Sequence, residues 1–124
     1  MIATDTSSLI AYLQGATDQD DVELIEDALS RKELVFPPMV VTELLSDPTA
    51  GKALEEFLAH LPLLNLSDGF WIRAGQLRAK VFAAGKKSRL ADALIAQCCI
   101  DNKVPLVSRD RDFRHYEELG LRLL

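Results

Sequence analysis

Short apolar runs of extended type alternate with stretches of helical periodicity along this chain, and that alternation constrains its fold more than any other feature. Residues 2–4, 34–36 and 104–108 read as strands, with 63–66 as a further short one and 121–124 as the last. Between them lie helical patterns: Leu9 to Leu13; Val22, Leu24, Ile25, Ala28 and Leu29; and a segment from Met39 that Pro37 and Pro38 suit as a helix start. Four more follow, over 53–60, from Trp71 through Leu77, Val81 and Phe82 with Ser67 or Asp68 as the expected cap, over 89–102, and over 113–118. Strands that are short, apolar and separated by helices imply right-handed crossovers and a mostly parallel sheet covered on both faces. Ligands of such sheets gather at the carboxyl ends of the strands. Asp5 and Asp110 each follow directly on a strand, so both are expected at that edge.

A chain of 124 residues has room for one hydrophobic core and not for two, so a single domain over 1–124 with one site is expected. Cys98 and Cys99 are adjacent, cannot easily bridge each other and have no other partner, which excludes a disulfide framework. His60 and His115 stand far apart in a chain without CxxC or HExxH, and the usual zinc patterns are thereby removed. A bound metal would have carboxylate ligands. No basic segment leads into an apolar stretch at the start, and no apolar run approaches membrane-spanning length, so a cytoplasmic location without membrane attachment is expected.

Four acids carry the functional argument. Asp5 can cap the helix that begins near Ser7, but Thr6, Ser7 and Ser8 can cap it equally well, which leaves the carboxylate available. Glu43 lies on a helix among Met39, Val40, Val41, Leu44 and Leu45, where a carboxylate beside an apolar stripe is costly unless paired or bound to a cation. Asp92 falls in the first turn of its helix, expected to be capped by Ser88, and the macrodipole there favours negative charge whatever the function. Its apolar neighbours Leu90, Ala91, Ala93, Leu94 and Ile95 argue for a further role. Asp112 is the better cap for the helix near Phe113, which frees Asp110 for chemistry.

Several carboxylates cannot share a pocket fully ionised without a compensating charge, because each raises the pKa of its neighbours. A hard divalent cation, Mg²⁺ or Mn²⁺, matches carboxylate oxygens and supplies that charge. A site of this kind activates water and neutralises charge on a phosphodiester, so metal-assisted phosphodiester hydrolysis is the chemistry natural to it.

The segments 5–10 (DTSSLI), 41–44 (VTEL), 91–96 (ADALIA) and 107–113 (VSRDRDF) resemble, in order, the acidic blocks of PIN-domain ribonucleases, most closely the VapC-type toxins. The resemblance implies a PIN-like three-layer α/β sandwich with a short, mostly parallel central sheet. It further implies a metal-binding quartet of Asp5, Glu43, Asp92 and Asp110, hydrogen-bond support from Ser7 and Ser108, and Asp112 as an auxiliary acid. RNA as substrate, a cognate antitoxin as partner and a homodimer as assembly are implied with it. Residues 47–85 share little with these relatives beyond helical character, so the choice of RNA does not transfer.

The net charge of −5, taken alone, counts against a nucleic-acid partner. Basic residues nevertheless cluster locally, and Lys86, Lys87, Arg89, Arg109 and Arg111 are the candidates for phosphate contacts. Two other readings of the same acids are a receiver-like phosphotransfer domain and a catalytically silent binding module. The first expects paired acids after the first strand and a lysine after a late one; here Asp5 is single and Arg109 follows 106–108. The second has no positive support in a chain that keeps all four acids.

Overall fold

The computed structural model describes all residues, 1–124. Strand β1 (Ile2–Thr4) pairs in parallel with both β2 (Leu34–Val35) and β3 (Leu106–Val107), in the order β2-β1-β3. Successive strand residues point to opposite faces of a sheet. Here both members of each pair are buried: Ala3 and Thr4, Leu34 and Val35, Leu106 and Val107. Both faces are therefore covered, as expected for this α/β sandwich.

The strands are shorter than the sequence pattern suggests. Residues 63–66 contribute one bridge, Leu63 to Phe36, and 121–124 contribute one, Leu123 to Leu106. Pro37, with no N–H for a ladder, ends the run at Phe36, and only residues 106 and 107 of 104–108 are paired as strand.

Six α-helices follow in chain order: α1 (Thr6–Leu13), α2 (Asp20–Ser30), α3 (Pro38–Leu45), α4 (Lys52–Ala59), α5 (Phe70–Ala83) and α6 (Leu90–Asn102). The expected last helix is a 3₁₀ helix, Arg111–Leu119. Helix α1 packs on α2 and α5 on α6, while α3 touches both α1 and α6. One continuous core joins Leu9, Ile25, Phe36, Ile95, Phe113 and Tyr116 across these layers. No helix is long and apolar enough to cross a membrane. Cys98 and Cys99 are free and buried, and burial pushes the Cys98 thiol up to about 11, far from thiolate reactivity.

Two expected caps differ. Helix α5 starts after Gly69, in the left-handed conformation (φ 82°), and neither Ser67 nor Asp68 caps it. Arg73 Nη2 donates to Ser67 Oγ at 2.7 Å, and its Nη1 to the Asp68 backbone carbonyl at 2.6 Å. The positive φ favours glycine at position 69; a Cβ there would also lie 2.8 Å from Arg73 Nη1, the movable end of that side chain. Ser88 does not cap α6 either, because its hydroxyl bonds the Tyr116 hydroxyl at 2.6 Å and Arg89 holds the cap position.

Two ion pairs cross between elements. Arg73 on α5 grips Asp101 on α6 through Nε at 3.2 Å and Nη2 at 2.6 Å, and Arg109 after β3 grips Asp21 on α2 at 2.8 Å. The Arg109 bond holds the Asp21 carboxyl below its ordinary value. Burial would raise Asp101, but its bonds from Arg73, Gln97 and Ser67 outweigh that and lower it. A carboxylate with a depressed folded pKa contributes stability that is complete above its unfolded value, about 4, and is lost as pH falls through the folded one. Melting temperature is thus expected to fall below about pH 4 in the wild type, and to fall less steeply there in an Asp21→Asn, Asp101→Asn double variant. Parallel melting curves for the two proteins across pH 2–5 (roughly the titration range of such groups) would refute the assignment.

Candidate active site

The carboxyl edge of the sheet gathers the acids. Asp5 follows the last residue of β1, Asp110 lies three residues past β3, Glu43 is in the last turns of α3 and Asp92 in the first turn of α6. All four line one cavity of about 210 Å³, together with Thr6, Ser7 and Arg89. A larger cavity of about 740 Å³ lies between α2 and the end of β3, away from this cluster. Volume is a weaker guide than chemistry here, since one ion and one phosphate group need little space.

Asp5 is 3% exposed, and its carboxylate accepts three hydrogen bonds. Its Oδ1 accepts from the Ser8 N–H at 3.0 Å, and its Oδ2 accepts from the Ser7 and Ser108 hydroxyls, both at 2.7 Å. Of the four residues able to cap α1, Asp5, Thr6, Ser7 and Ser8, the structure makes Asp5 the cap. Capping and chemistry are not alternatives, because a carboxylate that accepts three hydrogen bonds is held in place with its oxygens aimed. The hydrogen bonds expected of Ser7 and Ser108 are both present.

Asp110 is held in a similar way. Its Oδ1 accepts from the Asp112 N–H at 2.9 Å and caps the 3₁₀ helix, the part expected of Asp112. Ser108 ties the two aspartates together, donating to Asp5 and accepting from the Asp110 N–H at 3.0 Å. Asp112 lines an adjoining cavity and not the one shared by the four acids.

Glu43 is exposed, so the expected cost of a carboxylate beside an apolar stripe does not arise. What orients it is the Thr6 hydroxyl, which donates to Oε1 at 2.6 Å across 37 positions of sequence. Thr6, seen in the sequence only as a possible cap, is thus a positioning residue; so is Ser8, whose hydroxyl accepts the Arg109 N–H at 2.9 Å. The run of three hydroxyl residues after Asp5 was the available signal.

Asp92 has no such support and shows the strain of the cluster. Partial burial, the charge of Asp110, and then those of Glu43 and Asp5 push its carboxyl up to about 6, against a smaller opposing pull from Arg89. This coupling places the other three carboxylates near it. No three of them converge closely enough to grip an ion by themselves. Carboxylates held by Ser7, Ser8, Thr6, Ser108 and Asp112 stand apart around a common space, which suits a cation that keeps several waters. An all-oxygen anionic donor set fits Mg²⁺ or Mn²⁺ and not a thiolate or imidazole metal.

The basic candidates divide. Arg89 lines the acid cavity, and Lys86 and Lys87 line the next one. The Arg109 guanidinium, unlike these, is bonded to Asp21 on α2 and to Gln19 just before it, where the loop after β3 passes. Arg111 lines a further cavity with Arg114 and Glu117, which meets the acid site at Asp110. Replacing Ser108 with alanine is expected to destabilise the protein by about 1–2 kcal/mol, since Asp5 loses a donor and the Asp110 N–H an acceptor. An unchanged denaturation midpoint would refute that linkage.

Comparison with known proteins agrees with this geometry. A family model described as PIN domain matches residues 2–119. No curated protein matches the sequence. Among solved structures, VapBC2 from Rickettsia felis, bound to a DNA fragment from its promoter, aligns at 20% identity and a TM-score of 0.72, covering 100% of this chain and 98% of the other. VapBC-5 from Mycobacterium tuberculosis, of the VapBC family of toxin-antitoxin systems, aligns at 19% and 0.72 (99% and 96% covered), and VapBC-1 from nontypeable Haemophilus influenzae at 15% and 0.75 (100% and 97%). At these identities the likeness is one of fold.

Proposed function

The chain belongs to the PIN-domain family, and from that premise we propose that it is a Mg²⁺-dependent endoribonuclease serving as the toxin of a type II toxin–antitoxin pair. The observation that carries the reading is the meeting of Asp5, Glu43, Asp92 and Asp110 around one cavity at the carboxyl edge of a parallel sheet. Family membership removes the receiver-like alternative.

Asp5, Asp92, Glu43 and Asp110 would hold Mg²⁺, or Mn²⁺, which when bound supplies charge neutralisation on a phosphodiester and a water of lowered pKa. Asp5, locked by its three donors, is the rigid ligand of the set. Asp92, whose carboxyl is the most strained, gains most from a cation. Arg89, the one cation on the cavity wall, faces the phosphate group. Single-stranded or loop RNA is the expected substrate, since unstacked nucleotides can enter so small a site.

The structural neighbours are toxin–antitoxin complexes, which supports a cognate antitoxin as partner; a cytoplasmic homodimer acting through this one domain completes the proposal. Incubation with pooled cellular RNA is the test. Cleavage with Mg²⁺ and loss of at least about a hundredfold in rate with a chelator are expected. Metal binding with no turnover on that RNA would identify a catalytically silent binding module instead.

A further inference from the structure

Beside the acid cavity, and sharing Arg89 and Asp92 with it, lies a second cavity of about 550 Å³ in which basic side chains, Arg78, Lys86, Lys87 and Arg89, outnumber the acids Asp92 and Asp112. Arg78 and Phe82 on α5 form one wall, and Lys86 and Lys87 stand on the loop between α5 and α6. The Arg78 guanidinium sits over the Phe82 ring, 4.8 Å from its centroid, and Phe82 is 49% exposed.

The loop that carries the lysines is pinned along its length. The Lys86 N–H donates to the Val81 carbonyl at 3.1 Å, His115 Nδ1 to the Lys87 carbonyl at 3.0 Å, and Arg78 Nε to the Ser88 carbonyl at 2.9 Å. The Ser88 hydroxyl meets Tyr116 below it. None of Arg78, Lys86, Lys87 and Arg89 belongs to an ion pair, in a chain with five more acidic than basic residues. Unneutralised cations on a fixed loop beside an exposed aromatic–guanidinium stack are the parts of a single-strand nucleotide site: charge for the backbone and a plane for the base.

Resting on the ribonuclease reading above, we propose that this cavity is a nucleotide subsite. It holds the RNA nucleotide next to the scissile phosphate, with the base against the Phe82–Arg78 stack and the backbone phosphates on Lys86 and Lys87. Arg89, common to both cavities, bridges this subsite to the phosphate being cut. The strand therefore runs from the acids over the start of α6 toward α5, and base preference at that one position is set by α5.

The test is binding of a fluorescein-labelled single-stranded RNA of about ten nucleotides, with Mg²⁺, in an Asp5→Asn background that leaves the strand uncut. Adding Phe82→Ala, an exposed position whose folding is checked by melting, is expected to weaken binding about tenfold, and Phe82→Tyr to restore it. The double variant Lys86→Ala, Lys87→Ala is expected to reduce the slope of log affinity against log salt by about 1.4. Unchanged affinity in Phe82→Ala together with an unchanged salt slope in the lysine variant overturns the subsite and leaves the ribonuclease reading standing, provided wild-type protein cuts RNA. A wild type that neither binds nor cuts RNA overturns both.

Discussion

Asp92→Asn is expected to raise the melting temperature of the metal-free protein at pH 7 while reducing RNA cleavage at least about a hundredfold. The two effects have one cause. The Asp92 carboxyl is pushed up to about 6 by partial burial and by the charges of Asp110, Glu43 and Asp5, so its ionised form is less stable in the folded protein than in the unfolded chain. Between about pH 4 and pH 6 the folded state then binds more protons than the unfolded one, and stability falls as pH rises through that window. The asparagine variant lacks this loss. A shift of this size corresponds to an upper bound of about 3 kcal/mol, and partial solvent screening brings the expected gain nearer 1–2 kcal/mol. Added Mg²⁺ should reverse the order, stabilising wild type more than the variant. Identical melting curves for the two proteins from pH 4 to 7 (about the window in question) would sink the argument, as would cleavage by the variant at the wild-type rate.

Asp5 is expected to behave in the opposite sense, because its surroundings are built for a charge. Asp5→Ala removes the acceptor for the Ser8 N–H and for two hydroxyls at a buried position, and takes away the cap of α1. The expected loss is about 2–4 kcal/mol, with cleavage abolished. Asp5→Asn retains an oxygen for the Ser8 N–H, and the Ser7 and Ser108 hydroxyls can turn to accept from its amide. It should cost about 1 kcal/mol yet still lose cleavage at least about a hundredfold. Chemical denaturation and an RNA-cleavage assay on both variants decide the matter. Alanine as stable as aspartate would deny the structural role, and an active asparagine variant would remove Asp5 from the chemistry.

Opposite stability effects at two acids of one cavity follow from their settings. Asp5 has donors on both oxygens; Asp92 faces like charge with a single arginine in opposition. Such division is what a functional cluster shows when fold and chemistry make different demands on the same residues.

The positions of Asp5 and Asp110 could be read from order alone, since each follows an apolar strand and parallel strands end on a common edge. Their capping roles could not. Whether Asp5 or one of the three hydroxyl residues after it caps α1 depends on where the Ser7 and Ser108 side chains point, and Ser108 is 103 positions away from Asp5. Glu43 was legible only through the motif: helical periodicity placed it beside an apolar stripe, while the structure exposes it and orients it by Thr6. Arg109 looked as free as Lys86 because its partner, Asp21, lies 88 positions earlier. Arg78 and Phe82 stand four residues apart on one helix, but nothing local revealed their stacking or that the lysine loop folds back beside them.

Sequence by itself determined the alternation of strands and helices and the covered parallel sheet, because periodicity and order act locally along the chain, and its motifs named four candidate acids. Tertiary structure alone decided which oxygen each donor holds, which carboxylate bears the strain and which cations remain unpaired. Those outcomes depend on contacts between residues far apart in sequence, and hydrogen bonds and charges act through distances that only the folded chain sets.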